Sequence, residues 1–150
     1  MLDMAEHDDQ PLGFLLYQLM AALRPRVNAE LRPLGIGLAE FVCMRSISMW
    51  PDRSNAELAR RANVTPQAMN LVLRALEDMG LIARPQAITS GRALPARLTR
   101  KGASLLKRAE KAVQVADAGL LGGLTPTEGD ELKRLLYVTS SKLLVDATSA

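Results

Sequence analysis

Two short helices joined by a very short turn place the strongest constraint on the fold of this chain. Ser54 and Glu57 form a capping box, which predicts a helix directly after the serine. Thr65 is a good N-cap, Pro66 suits the first position of the next helix, and Gly80 is a typical helix end. Because so few residues separate the two helices, the pattern predicts a helix-turn-helix. The helices are predicted over residues 55–62 and 66–79.

A β-hairpin is predicted directly after the second helix. Residues 81–84 and 96–99 have the pattern of two short strands, and the loop between them has its tip at residues 89–92. A helix-turn-helix followed by such a hairpin is a winged helix. The hairpin is called the wing below.

Helical periodicity dominates the rest of the chain. Aromatic residues make up only 3% of the whole sequence. The first and last helices have wider apolar surfaces than one core contact needs, so they call for a partner chain. The predicted fold class is mostly α with a small β-wing, in a single domain over residues 1–150. Residues 38–102 are the predicted winged-helix lobe, and residues 12–33 and 103–146 are the predicted N- and C-terminal dimerisation helices.

Positive charge is concentrated in the winged helix. Residues 53–108 contain eleven Lys and Arg against three Asp and Glu, a net charge of +8. The rest of the chain carries −5, which gives the modest total of +3. A protein with this charge separation has one face suited to a polyanion. Together with the helix-turn-helix pattern, it predicts that the lobe binds double-stranded DNA.

The second helix of the motif has one apolar and one polar face. Met69, Val72, Leu73 and Leu76 fall in one narrow sector, which predicts that they pack on the core. The opposite face is suited to the major groove, because Gln and Asn can pair with adenine, Arg with guanine, and Leu can contact a thymine methyl. Wing arginines would mainly bind phosphates. The predicted DNA-binding residues are Ser54, Thr65, Gln67, Asn70, Leu71, Arg74, Arg84, Arg92 and Arg97.

Five segments of the chain, in this order, resemble the MarR (multiple antibiotic resistance regulator) family of winged helix-turn-helix transcription factors. They are Asn55–Ala59, Val64–Ala68, Leu76–Ile82, Leu98–Gly102 and Leu124–Glu128. The resemblance implies a sequence-specific DNA-binding regulator, a ligand-responsive repressor that acts as a homodimer on a palindromic operator. An alternative is a winged-helix module for protein interaction or dimerisation that does not bind DNA.

The wing departs from the pattern of that family. Members commonly have an Asp-x-Arg-Arg tip, in which the acid braces an arginine directed at the minor groove. In this chain Arg92 matches the arginine, but no acidic residue occurs within residues 87–93. Thr89 or Ser90 would be a weaker brace.

The resemblance also implies a small phenolic or anionic effector, bound in a crevice between the dimerisation helices and the lobe. The candidate lining residues are Tyr17, Met20, Arg24, Met44, Arg45 and Trp50. The alternative is that the apolar members belong to the core and Arg45 to the surface. Cys43 is expected to be an inert buried thiol, with peroxide sensing as the less favoured interpretation.

Other classes of protein fit the sequence poorly. The single histidine, His7, lies in the N-terminal segment, and no catalytic triad, phosphate-binding loop or metal-ligand spacing is present in the sequence. We therefore expect no enzyme activity, cofactor or metal. No signal peptide or stretch long enough to span a membrane is present, and the single Cys43 forms no intrachain disulfide, so a cytoplasmic location is expected.

Overall fold

The computed structural model describes residues 8–62, 64–85 and 95–149. This part of the chain is mostly helical with one small antiparallel sheet, so the predicted fold class is confirmed. The elements are α1 (Leu12–Leu31), α2 (Leu38–Met49), α3 (Asn55–Ala62), α4 (Pro66–Asp78), β1 (Ile82–Ala83), β2 (Arg97–Leu98), α5 (Arg100–Leu120) and α6 (Pro126–Ser149).

The side-chain caps form as the sequence predicts. The Glu57 N–H donates to Ser54 Oγ at 3.2 Å, and Thr65 Oγ1 accepts from the Ala68 N–H at 3.1 Å. These bonds satisfy N–H groups that have no partner inside their helices. One further cap comes from a distant element, because Asn28 Oδ1 of α1 accepts from the Leu38 N–H at the start of α2, at 2.8 Å.

A single core joins the winged-helix lobe to the long helices. The α5 helix packs along α1, and α2 lies between α5 and α4. The predicted inner face of α4 is confirmed, because Met69, Leu73 and Leu76 are buried and Val72 is partly buried. The largest fully buried side chains are Val27, Leu31, Met44, Ile47, Leu58, Leu73, Leu76 and Leu81.

The wing is joined to α4 and α5 by a tight backbone junction. Gly80 adopts φ 72°, the left-handed conformation that ends α4, and the Leu81 N–H donates to the Leu76 carbonyl at 2.9 Å. Thr99 caps α5 by accepting from the Gly102 N–H at 3.0 Å, and its hydroxyl donates to the Gly80 carbonyl at 2.6 Å. The start of α5 is therefore held against the end of α4.

Candidate DNA-binding face and ligand cavity

The outer face of α4 is free of the core. All four side chains predicted to read base edges are exposed, and Leu71, at their centre, is 70% exposed. On the inner side, Met69 and Leu73 anchor the helix, so the polar face is held on a rigid element. The exposed residues are Gln67, Asn70, Leu71 and Arg74.

Ser54 and Thr65 are exposed and lie at the N-termini of α3 and α4. Both hydroxyl oxygens accept capping hydrogen bonds from backbone N–H groups, so each side chain is held against the start of its helix. Helix N-termini favour anions, because their N–H groups and dipoles point outward. The two positions are thus compatible with phosphate contacts beside the base-reading face.

Carboxylates hold several arginines of the lobe. Arg84 Nε lies 2.7 Å from Glu77 Oε2, and the Arg84 side chain is only 16% exposed. It therefore stabilises the base of the wing and offers little surface to DNA. Arg53 Nη1 lies 2.8 Å from Glu57 Oε2. This hydrogen bond from Arg53 lowers the pKa of the Glu57 carboxyl, which keeps the cap charged.

Arg97 remains accessible in the wing. Its side chain is 52% exposed and its Nη2 lies 2.8 Å from Asp52 Oδ1. Arg92, the third predicted wing contact beside Arg84 and Arg97, lies outside the described residues. Sequence patterns did not indicate Asp52, because it is 45 residues away from Arg97 in the chain.

A cavity of about 530 Å³ separates α1 from the winged-helix lobe. Its walls are mainly apolar, and Met20, Val42 and Val72 are among them. Arg24 and Asn28 of α1 and Glu40 of α2 supply polar groups. Asn28 is already oriented by its bond to the Leu38 N–H, and Glu40 Oε2 accepts from the Gly37 N–H at 3.1 Å. Among apolar walls, Arg24 can pair with the charged group of a small organic anion, while the Glu40 carboxylate is engaged by the Gly37 N–H.

The six predicted ligand residues do not lie together. Met20 and Arg24 line this cavity, and Tyr17 lies beside them in a second pocket that shares both residues. Met44 belongs to the core with 0% exposure, Arg45 pairs with Glu110 of α5, and Trp50 lies under the Arg61 guanidinium at 4.3 Å. The resemblance implied Met44 as a lining residue, but helix packing turns its side chain into the core, as the alternative interpretation had it.

Cys43 is buried beside the cavity. Burial raises the pKa of its thiol to about 12, and Sγ lies 3.7 Å from Met69 Sδ. A thiol with this pKa is protonated at neutral pH, and the protonated form is a poor nucleophile. The expected buried position of Cys43 is confirmed.

Membrane spans and metal clusters are both absent from the part of the chain that the structure describes. None of the described helices is long and apolar enough to cross a membrane. Within the same residues, no cluster of three or more His, Cys, Asp or Glu side chains is arranged to hold a metal ion.

Known proteins share this architecture and much of this sequence. The MarR family model matches residues 36–94. The HTH-type transcriptional repressor Rv2887 of Mycobacterium tuberculosis (strain H37Rv) is 58% identical over 129 residues, which cover 86% of this chain and 93% of the repressor. The chain belongs to the MarR family.

Solved structures of MarR family members agree with this assignment. The M. tuberculosis Rv2887 complex with p-aminosalicylic acid is 55% identical, with a TM-score of 0.77, and covers 87% of this chain and 98% of its own. The Rv2887 complex with DNA is 52% identical, with a TM-score of 0.73 and coverage of 87% and 98%. The family prediction and the prediction of a DNA-binding transcriptional regulator are therefore confirmed, and the interaction-only module is disfavoured.

Proposed function

We propose that this protein is a homodimeric, ligand-responsive transcriptional repressor that binds a pseudo-palindromic operator. The observation that carries this proposal is the outer face of α4, where Gln67, Asn70, Leu71 and Arg74 are exposed together on a helix whose other face is locked in the core. An exposed leucine between polar side chains is suited to a thymine methyl in the major groove. The Rv2887 relative, which has been solved in complex with DNA, supports DNA binding by this chain.

Apolar side chains on α1 and α6 support the homodimer. These two helices carry most of the large hydrophobic residues that the described part of the isolated chain leaves exposed, and a clustered apolar surface is typical of an interface. In a two-fold dimer, the two copies of α4 would lie about 34–36 Å apart, one turn of DNA. The exposed side chains include Leu12, Phe14, Leu15, Leu16, Met20, Leu135, Leu136, Val138 and Leu143.

A selection experiment tests DNA binding and assembly together. Fragments of genomic DNA retained by the purified protein should converge on a palindrome, and binding should weaken steeply as salt rises. Light scattering at micromolar concentration should give about twice the chain mass of 16.3 kDa. Retention of no fragment, or a stable monomer, would contradict the proposal.

The cavity between α1 and the lobe supports ligand control. It touches α1 on one side and α3 and α4 on the other, through Arg24, Ala62 and Met69. A ligand bound there contacts both the helix proposed to pair with the partner chain and the helix proposed to read DNA. A molecule that fits one arrangement of these elements better than another shifts the population toward it. Since Rv2887 has been seen with p-aminosalicylic acid, we propose a small aromatic carboxylate as the ligand class.

Arg24 should anchor the carboxylate. Arg24→Ala is expected to raise the Kd of salicylate about tenfold or more, because hydrogen bonds to charged groups contribute about 1.5–3 kcal/mol. The matched control is Arg45→Ala, which removes an arginine from α2 that does not line the cavity and should leave the Kd unchanged. Isothermal titration calorimetry measures both values. An equal loss in the two variants would place the ligand elsewhere.

The proposed role involves no catalysis and no cofactor. Arg24 and Asn28 are proposed to bind the ligand, and the buried Cys43 thiol is protonated at neutral pH. We place the protein in the cytoplasm, with the DNA that it regulates.

A further inference from the structure

An acidic side chain lies in the DNA-facing lobe, where simple electrostatics would not place it. Asp52 is in the turn between α2 and α3, two residues before the N-cap Ser54, and its side chain is 87% exposed. A carboxylate beside a surface that binds phosphates opposes binding, since like charges repel. The position of Asp52 therefore needs another reason.

The contact of Asp52 with the wing supplies that reason. Asp52 Oδ1 accepts a hydrogen bond from Arg97 Nη2 at 2.8 Å. Arg97 is in β2, where it pairs with Ala83 of β1. The bond thus ties the base of the wing to the turn that precedes the helix-turn-helix.

The two strands of the wing are tied in different ways. Arg84, which follows β1, bonds to Glu77 near the end of α4 and is 16% exposed. Arg97 is tied instead to the turn between α2 and α3 and remains 52% exposed. A guanidinium has five N–H donors, and the bond to Asp52 engages one of its nitrogens. The Arg97 side chain therefore has donors left for a phosphate while its direction is held.

We propose that Asp52 is a positioning residue for DNA binding, which holds Arg97 so that its free N–H groups face the DNA backbone. The proposal rests on the proposed function, because it assumes that this lobe binds DNA. In the wing tip no acid lies within residues 87–93 to brace Arg92, and the arginine that is braced in this chain is Arg97. The brace comes instead from Asp52, outside the wing.

The direction in which Asp52→Asn changes the affinity for DNA distinguishes this role from plain repulsion. Asp52→Asn makes each chain one charge more positive, so loss of a merely repulsive acid would strengthen DNA binding. If Asp52 positions Arg97, the same variant should bind the selected operator about two- to fivefold more weakly, the range expected for an exposed ion pair. The salt slope should also decrease by up to about 1 for each lobe as a phosphate contact is lost.

Asp78→Asn is the matched control, because Asp78 is also an exposed acid of the lobe and has no ion pair within the part of the chain that the structure describes. It should bind equally well or more tightly. In an Arg97→Ala background, Asp52→Asn should no longer weaken binding, and Asp52→Glu should retain most of the affinity. Circular dichroism confirms that each variant is folded at the assay temperature.

The outcomes distinguish the two proposals. If the wild-type protein binds no duplex, the proposed DNA-binding function itself is contradicted. A wild-type protein that binds, with an Asp52→Asn variant that binds as well or better, overturns the role of Asp52 alone. That role is also overturned if Asp52→Asn weakens binding equally with and without Arg97.

Discussion

Arg74→Ala should reduce operator affinity about 30-fold or more. One arginine that reads a base contributes about 1–3 kcal/mol, and a homodimer loses the contact in both half-sites. The effect is expected to be large because Arg74 is exposed on the outer face of α4, while Leu73 and Leu76 hold the helix from behind. The measurement is the Kd of the selected operator, by fluorescence anisotropy at fixed salt.

Two comparisons show whether Arg74 reads a base or a phosphate. Random-sequence duplex should be bound almost as well by Arg74→Ala as by the wild type, because non-specific binding depends on many phosphate contacts. Arg74→Lys keeps the charge but loses the planar pair of donors, so it should recover little specific affinity. Lys142→Ala removes an exposed charge from α6 and should change neither value. An equal loss on operator and random duplex would assign Arg74 to the phosphate backbone.

Gly102→Ala should destabilise the protein by about 3 kcal/mol or more, at the upper end of the range for overpacking. A Cβ at Gly102 would lie 1.9 Å from the Leu81 carbonyl oxygen and 2.9 Å from the Leu81 carbon. Both of these are backbone atoms, so no side chain can rotate away. The same carbonyl accepts from the Thr99 N–H at 3.0 Å, and relief of the clash would break this bond.

Thermal and urea unfolding of the Gly102→Ala variant measure this loss. The matched control is Gly122→Ala, because a Cβ there meets no atom within 4 Å and Gly122 is not among the glycines with positive φ. That variant should unfold within about 0.5 kcal/mol of the wild type. A folded Gly102→Ala variant with unchanged stability would mean that α5 can start further from Leu81 than it does here.

Local patterns in the sequence predicted the elements well. Ser54, Thr65 and Gly80 each act through bonds to residues within five positions, so the ends of α3 and α4 could be read directly from neighbouring residues. The inner and outer faces of α4 were also predictable, because helical spacing alone separates Leu73 from Arg74.

The partners of charged and polar side chains could not be predicted in this way. Asp52 bonds to Arg97 across 45 positions, and Asn28 caps α2 across ten positions. No periodicity in the sequence relates such residues. For the same reason the ligand crevice was only partly anticipated, with Arg24 on its wall and Met44 buried elsewhere.

The amino-acid sequence by itself determined the winged helix, its positive charge and the side of α4 that meets water, because these properties depend on residues a turn apart. Tertiary structure alone decided that Arg84 is held at the wing base while Arg97 stays accessible, and that α1 and α4 face each other across a cavity. The physical reason is packing. Which side chains meet depends on how whole helices lie against one another, and that arrangement is set by the burial of apolar side chains from distant segments in one core.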